Sequence, residues 1–201
     1  MTSDRDPSTP QRKHLALDGP LRLDALEDVY DCPITVEISP GAWDRARASR
    51  ARIGRMLAAG QTIYGVNTGF GKLCNKRISD EQLDKLQTNL ILSHAVGVGP
   101  PAPAAIVRWM LLFKINALLL GASGVQTDCI RFLASLLEHD LLPVVPTRGS
   151  LGASGDLAPL AHLVLPMMNR GRLVADGQIV ETEGALREHG IEPVELGAKD
   201  G

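Results

Sequence analysis

Apolar and polar positions change period several times along the 201 residues, and each change marks an element. Residues 1–18 are rich in Ser, Asp, Pro and Arg and read as a loose tail, with the folded part starting after about residue 20. Ile34-Thr35-Val36-Glu37-Ile38 alternates and predicts a short strand. Ser39-Pro40 then opens a helix, with Ser as N-cap and Pro pre-set for the first turn, running to Ala59 and stopped by Gly60. Tyr64 to Lys72 is a Gly-rich loop, and a second helix is expected from about Asp80 to His94. Val96 to Pro103 is dense in Gly and Pro and reads as a loop. Ala104 to Leu120 predicts a buried helix and Val125 to His139 a fourth one. Pro143 and Pro146 bound an extended segment, Gly149 to Gly155 forms a second Gly-rich loop, and a helix from Asp156 should bend at Pro166. Asp176-Gly177 centres a β-hairpin over Val174 to Val180, and Thr182 to His189 is a short helix. The fold class is mainly α, with short β-hairpin elements.

Composition narrows the function. Apolar residues are 44% and charged residues 22%, the balance of a globular chain rather than a disordered one. The net charge is −2 and no basic block exists, which excludes a nucleic-acid or anionic-membrane partner. The most apolar segment, Ile106 to Ala122, is interrupted by Arg108, Lys114 and Asn116, too short and too charged to cross a bilayer. Three cysteines, Cys32, Cys74 and Cys129, form no C-x-x-C pair, so neither a zinc nor a redox site is expected, no metal is called for, and a reducing cytoplasm is the expected location. Aromatics are only 3%, too few for a stacking surface.

Candidate chemistry lies in the two glycine-rich loops. Gly149-Ser-Leu-Gly-Ala-Ser-Gly155 admits three readings. A serine-hydrolase elbow needs G-x-S-x-G, but here the last glycine comes one place early. A phosphate cradle lacks a following Lys or Arg. The third reading is backbone chemistry: the Gly155 amide nitrogen attacks the Ala153 carbonyl carbon, two waters leave, and the Ser154 side chain becomes an exocyclic methylene. Glycine gives the least hindered nitrogen, serine the leaving hydroxyl, alanine the small flank. The same tripeptide occurs at Ala122-Ser123-Gly124, between two helices, where it reads as a turn. The other loop, Tyr64 to Lys72, misses the P-loop spacing by one residue, and Leu73 replaces the Ser or Thr that would hold magnesium. Its leading tyrosine is a usable phenolate.

These stretches together are similar to the histidine and aromatic amino acid ammonia-lyases. The resemblance runs from about residue 21 to 201 and rests on Tyr64-Gly-Val-Asn-Thr-Gly-Phe-Gly71, Leu92-Ser-His-Ala-Val-Gly-Val-Gly99, Lys114-Ile-Asn116 and Gly149 through His162. It implies an N-terminal domain of the ammonia-lyase (fumarase/aspartase-like) fold, bearing 4-methylidene-imidazole-5-one (MIO) formed from Ala153, Ser154 and Gly155, with no external cofactor. It implies Tyr64 as catalytic base and Ser93-His94 as the substrate selector. The His position favours L-histidine, with urocanate as product; tyrosine or phenylalanine lyases and aminomutases of the same family are the alternative, and a non-catalytic domain the rival class. His162 stands between a supporting role at the site and a core position; His14, His139 and His189 read as surface. The resemblance also implies a homotetramer acting on a small amino acid. The family continues past Leu196-Gly-Ala-Lys-Asp-Gly201 into an Asn-bearing segment and a helical bundle. Residues 1–201 are therefore expected to be inactive alone, with Ile106–Leu120 and Phe132–Leu137 left partly exposed.

Overall fold

In a computed structural model the chain is described at residues 12–26, 32–69, 78, 82–150 and 155–201. Strand β1 (Lys13–Leu17) lies parallel to β2 (Ile34–Ile38), from Lys13 opposite Ile34 to Leu17 opposite Ile38. Residues 13–17, expected to belong to a loose tail, thus form a strand. Leu15 and Leu17 alternate with exposed neighbours, and Leu17 is buried in the core. A five-residue alternation inside a polar, proline-bearing stretch is too brief a signal to stand out without its partner strand.

Helix α1 (Pro40–Ala58) starts as its cap predicts: the Ser39 hydroxyl accepts the Ala42 N–H at 3.0 Å. Gly60, at φ +71°, ends it. Helix α2 (Leu83–His94) leads into β3 (Val98–Pro101), where the Gly and Pro content predicts only loop. An antiparallel partner overrides that composition: β5 (Pro146–Arg148) pairs Val98 with Arg148 and Pro101 with Pro146. Between them in sequence come α3 (Ala104–Leu119), α4 (Thr127–Glu138) and the two-residue β4 (Leu142–Pro143). Helix α5 (Leu157–Val164) gives way to a 3-10 turn (Leu165–Met168) at Pro166. Strands β6 (Arg172–Ala175) and β7 (Gln178–Glu181) form the hairpin around Asp176-Gly177, both at positive φ, and β4 completes a three-stranded antiparallel sheet. Helix α6 (Thr182–Glu188) follows.

The core runs along α3 and α4. Leu111, Leu112 and Ile115 meet Ile130, Leu133 and Leu137, all fully enclosed. Phe132–Leu137, expected to lie partly exposed, contributes Phe132, Leu133, Leu136 and Leu137 to this core. Helix α3 is less enclosed than its composition predicts. Ile106, Phe113 and Leu120, seven residues apart and so on one face, are 40%, 42% and 43% exposed. Arg108, which interrupts the apolar run, forms a bidentate pair with Asp140 (Nε–Oδ1 2.7 Å, Nη2–Oδ2 2.8 Å).

The Ala122-Ser123-Gly124 copy is the α3–α4 turn. Gly121 and Gly124 sit at φ +78° and +75°, pressed onto α1. A Cβ at Gly124 would lie 2.4 Å from Ile53 Cγ1, and one at Gly121 2.8 Å from the Arg45 carbonyl oxygen. Gly124→Ala is expected to lower stability by about 1–3 kcal/mol in urea unfolding, since strain and overpacking act together. Ser123→Ala should stay within about 0.5 kcal/mol of wild type in the same measurement.

Candidate functional site

Three segments far apart in sequence meet at one cavity of about 640 Å³. Tyr64, from the first glycine-rich loop, lies on its wall with its side chain 62% exposed. His94, the last residue of α2, lines it too. The third contribution is α5, through Leu157, Leu160 and Ala161, the first turns after the second glycine-rich loop.

His94 is held by the end of its own helix. Its Nδ1 lies 2.7 Å from the Leu90 carbonyl oxygen. A carbonyl only accepts, so the ring donates from Nδ1, and Nε2 is left as the acceptor nitrogen. Ser93 does not line the cavity; its hydroxyl donates to the same Leu90 carbonyl at 2.9 Å. Of the selector dipeptide, His94 is on the wall, while Ser93 helps to close the helix and lies against His94, its Oγ 3.1 Å from the ring Nδ1.

Ala153 and Ser154 lie outside the described residues. What brackets them is defined. Gly155 is at φ +90°, and a Cβ there would meet nothing within 4 Å among the described residues. The Ser150 hydroxyl donates to the Asp156 carboxylate, closing the chain on itself across the tripeptide. Asp156 therefore holds the loop and makes no side-chain cap for α5. Gly149, at φ +156°, is packed so tightly that a Cβ would sit 3.1 Å from both Ala158 Cβ and Gly97 Cα.

His162 supports this junction from α5. Its Nε2 accepts the Gly97 N–H at 3.0 Å, tying the helix after the tripeptide to the chain just after His94. Burial holds its pKa below the ordinary imidazole value.

Charged groups to which the sequence analysis gave no role also face the cavity. Burial, and then the nearby Lys199 ammonium, push the Lys114 pKa down. The signal was a lysine in an otherwise apolar helix. Asp200, whose side chain has no exposed surface, pairs with Arg50 at 3.5 Å and accepts the Gln126 and Gly197 N–H groups at 2.9 and 2.8 Å. Cys129 is no nucleophile: burial and the Asp200 carboxylate push its thiol up to about 12. Among the described residues no three His, Cys, Asp or Glu side chains gather to hold a metal, and no helix is long and apolar enough to cross a membrane.

The family model described as aromatic amino acid lyase matches residues 21–201. A histidine ammonia-lyase from Salmonella paratyphi A is 44% identical over 183 residues, covering 91% of this chain and 36% of that protein. The chain thus spans little more than a third of the length of this curated relative. Among solved structures, the ergothioneine-degrading ergothionase of Treponema denticola superposes with a TM-score of 0.89 at 31% identity, over 94% of this chain and 38% of its own. A histidine ammonia-lyase from Trypanosoma cruzi gives 0.84 at 36% identity, over 93% and 37%. Tyrosine aminomutase of Streptomyces globisporus gives 0.85 at 34%, over 92% and 35%.

The His162 bond predicts an acid-sensitive junction. A folded-state pKa below the ordinary value of 6.5 means the unfolded chain binds the proton more readily. The contribution of His162 is whole above that range and is lost as pH falls through it. Urea midpoints measured between neutral and mildly acid pH should fall more steeply for wild type than for His162→Gln, whose amide oxygen accepts the Gly97 N–H without titrating.

Proposed function

We propose that this chain, a member of the aromatic amino acid lyase family, works in the non-oxidative removal of ammonia from L-histidine to give trans-urocanate. The observation that carries the reading is the convergence of Tyr64, His94 and the start of α5 on one cavity. The identity with histidine ammonia-lyases supports histidine over the tyrosine and phenylalanine alternatives.

The tripeptide's surroundings fit the ring proposed to form there. Gly155 has a conformation open to glycine and space around its Cα, while Ser150, Asp156 and Gly149 fix the chain on either side. Ala153, Ser154 and Gly155 would make the MIO, and when formed it supplies an electrophile for the departing amine. The rest falls to ordinary side chains. His94 Nε2, an acceptor, takes the N–H of the substrate imidazole and so orients its ring. Ser93 contributes by closing the helix end beneath it. Tyr64 removes the β-proton; a free phenol, at about 10, is a weak base at neutral pH unless the site favours its phenolate. Lys114 and Lys199 on the cavity wall give a positive field suited to that phenolate and to the substrate carboxylate. A cytoplasmic location and a homotetramer are part of the same proposal.

In the assembled enzyme, Tyr64→Phe should lower kcat by at least about 10²-fold with KM little changed, as loss of a proton-transfer group requires. Ser154→Ala should abolish urocanate formation and show the full intact mass calculated from its own sequence, while Ser123→Ala should keep both activity and the loss of two waters from its calculated mass. Near-normal turnover in either of the first two variants sinks the reading.

Substrate choice has its own test. His94→Leu should raise KM for histidine and shift relative kcat/KM towards phenylalanine, since a polar partner on the cavity wall is lost. Urocanate, coumarate and cinnamate formation, followed by absorbance, separate the three substrates. Unaltered histidine kinetics would leave His94 as a helix cap only.

A further inference from the structure

We infer that Asn67 is the positioning residue for Tyr64, an inference that rests on the reading of Tyr64 as the base. Tyr64 is 62% exposed, yet three residues later Asn67 has no exposed surface and Thr68 only 1%. The buried carboxamide of Asn67 is used in both directions. Its Oδ1 accepts the Ile63 N–H at 2.7 Å and its Nδ2 donates to the Gln61 carbonyl at 2.8 Å. Its main-chain carbonyl accepts the Ile78 N–H at 2.9 Å. On the other side of the tyrosine, the Thr68 hydroxyl accepts the Gly65 N–H at 3.2 Å and donates to the Gly69 carbonyl at 2.9 Å. The amides immediately before and after Tyr64 are therefore both held by side chains from its own loop.

Beneath the loop, Val66 packs with Leu83 and Ala198 in a small cluster separate from the main core. The turn is thus anchored below and tied on both sides, and within residues 63–69 Tyr64 alone is exposed. A tyrosine has two side-chain torsions, so the direction of its Cα–Cβ bond largely decides where the phenolic oxygen lies. Misplacing a reacting group by about 1 Å costs on the order of 10²-fold in rate. The chemistry selects the residue: asparagine joins an acceptor and a donor on one short planar group. Aspartate at neutral pH only accepts, and would set a carboxylate oxygen against the Gln61 carbonyl.

The test is a double-mutant cycle on the assembled enzyme, joined to amide hydrogen exchange. Asn67→Ala is expected to lower kcat for histidine by about 10²-fold with KM within about threefold. In a Tyr64→Phe background the same change should alter kcat by less than about threefold, because the group it positions is already gone. Exchange at the Ile63 amide, whose acceptor is removed, should accelerate at least about tenfold, with α3 and α4 protected as in wild type. Asn67→Asp, which keeps the acceptor and loses the donor, replaces Asn67→Ala if that variant does not fold, with the same dependence on Tyr64 expected. A loss that multiplies fully on top of Tyr64→Phe overturns the inference while the reading of the base stands, as does unchanged kcat in Asn67→Ala. Unchanged kcat in Tyr64→Phe alone overturns the reading and the inference with it.

Discussion

Two glycine backbones, Gly97 and Gly149, touch with no room for a side chain between them, and the distance from His94 to the tripeptide loop depends on that contact. A Cβ on Gly149 would stand 3.1 Å from Gly97 Cα, and a Cβ on Gly97 would stand 3.1 Å from the His162 ring and 3.2 Å from Pro146. The β3–β5 pairing brings the strands together and His162 bonds the Gly97 amide from the far side. Each of these alone leaves a sliding freedom that the others remove. With all three in place, the chain leaving α2 and the chain entering α5 form one rigid junction, and the cavity wall inherits its geometry.

Charge placement follows the same economy. The apolar run of α3 carries Arg108 and Lys114, and the two meet different fates. Arg108 finds a fixed carboxylate in Asp140, which satisfies it in a planar, bidentate pair. Lys114 faces the cavity, where burial and Lys199 make its charged form more costly. Asp200 is the opposite case, a carboxylate without exposed surface but with one guanidinium and two amides around it. An ion that is fully surrounded by donors fixes structure. A partly compensated one at a cavity wall is available to a ligand.

Most helices were legible because their signals are local. Ser39-Pro40 and Gly60 frame α1, and Pro166 breaks α5, each through the backbone of its own neighbourhood. What escaped was the pairing of distant short strands. Nothing in Lys13–Leu17 or Val98–Pro101 identifies a strand until β2 and β5 are placed beside them, so the first reads as tail and the second as loop. The burial of Phe132–Leu137 was misjudged for the same reason, since the face it meets is built from α3 and β2. At the site, Tyr64, His94 and the second glycine-rich loop were legible as motifs with roles; Asn67, Lys114 and His162 stand in the same motif stretches, but their contacts, like those of Asp200, belong to the folded chain. A motif marks a residue by type and spacing; what that residue holds is shown only by the fold.

The two copies of Ala-Ser-Gly show how little a tripeptide decides by itself. Gly124 is wedged: the space where its Cβ would be is taken up by Ile53, and its neighbour Gly121 is pressed on the Arg45 backbone. Its amide belongs to a turn whose shape is dictated by α1, α3 and α4, and its Cα has nowhere to move. Gly155 also has positive φ, but among the described residues nothing lies within 4 Å of the corresponding position. Cyclisation draws the glycine nitrogen towards the carbonyl carbon two residues back, which requires the Cα of that glycine to swing. An anchored pair of flanks and an open Gly155 suit that requirement: the Ser150 hydroxyl and the Asp156 carboxylate bond to each other across the tripeptide, and among the described residues nothing lies within 4 Å of a Cβ placed on Gly155. At Ala122–Gly124 the freedom is missing where it is needed. The same three residues are therefore a fixed turn of the fold in one place and a candidate for backbone chemistry in the other, and the two glycines differ in what surrounds them among the described residues.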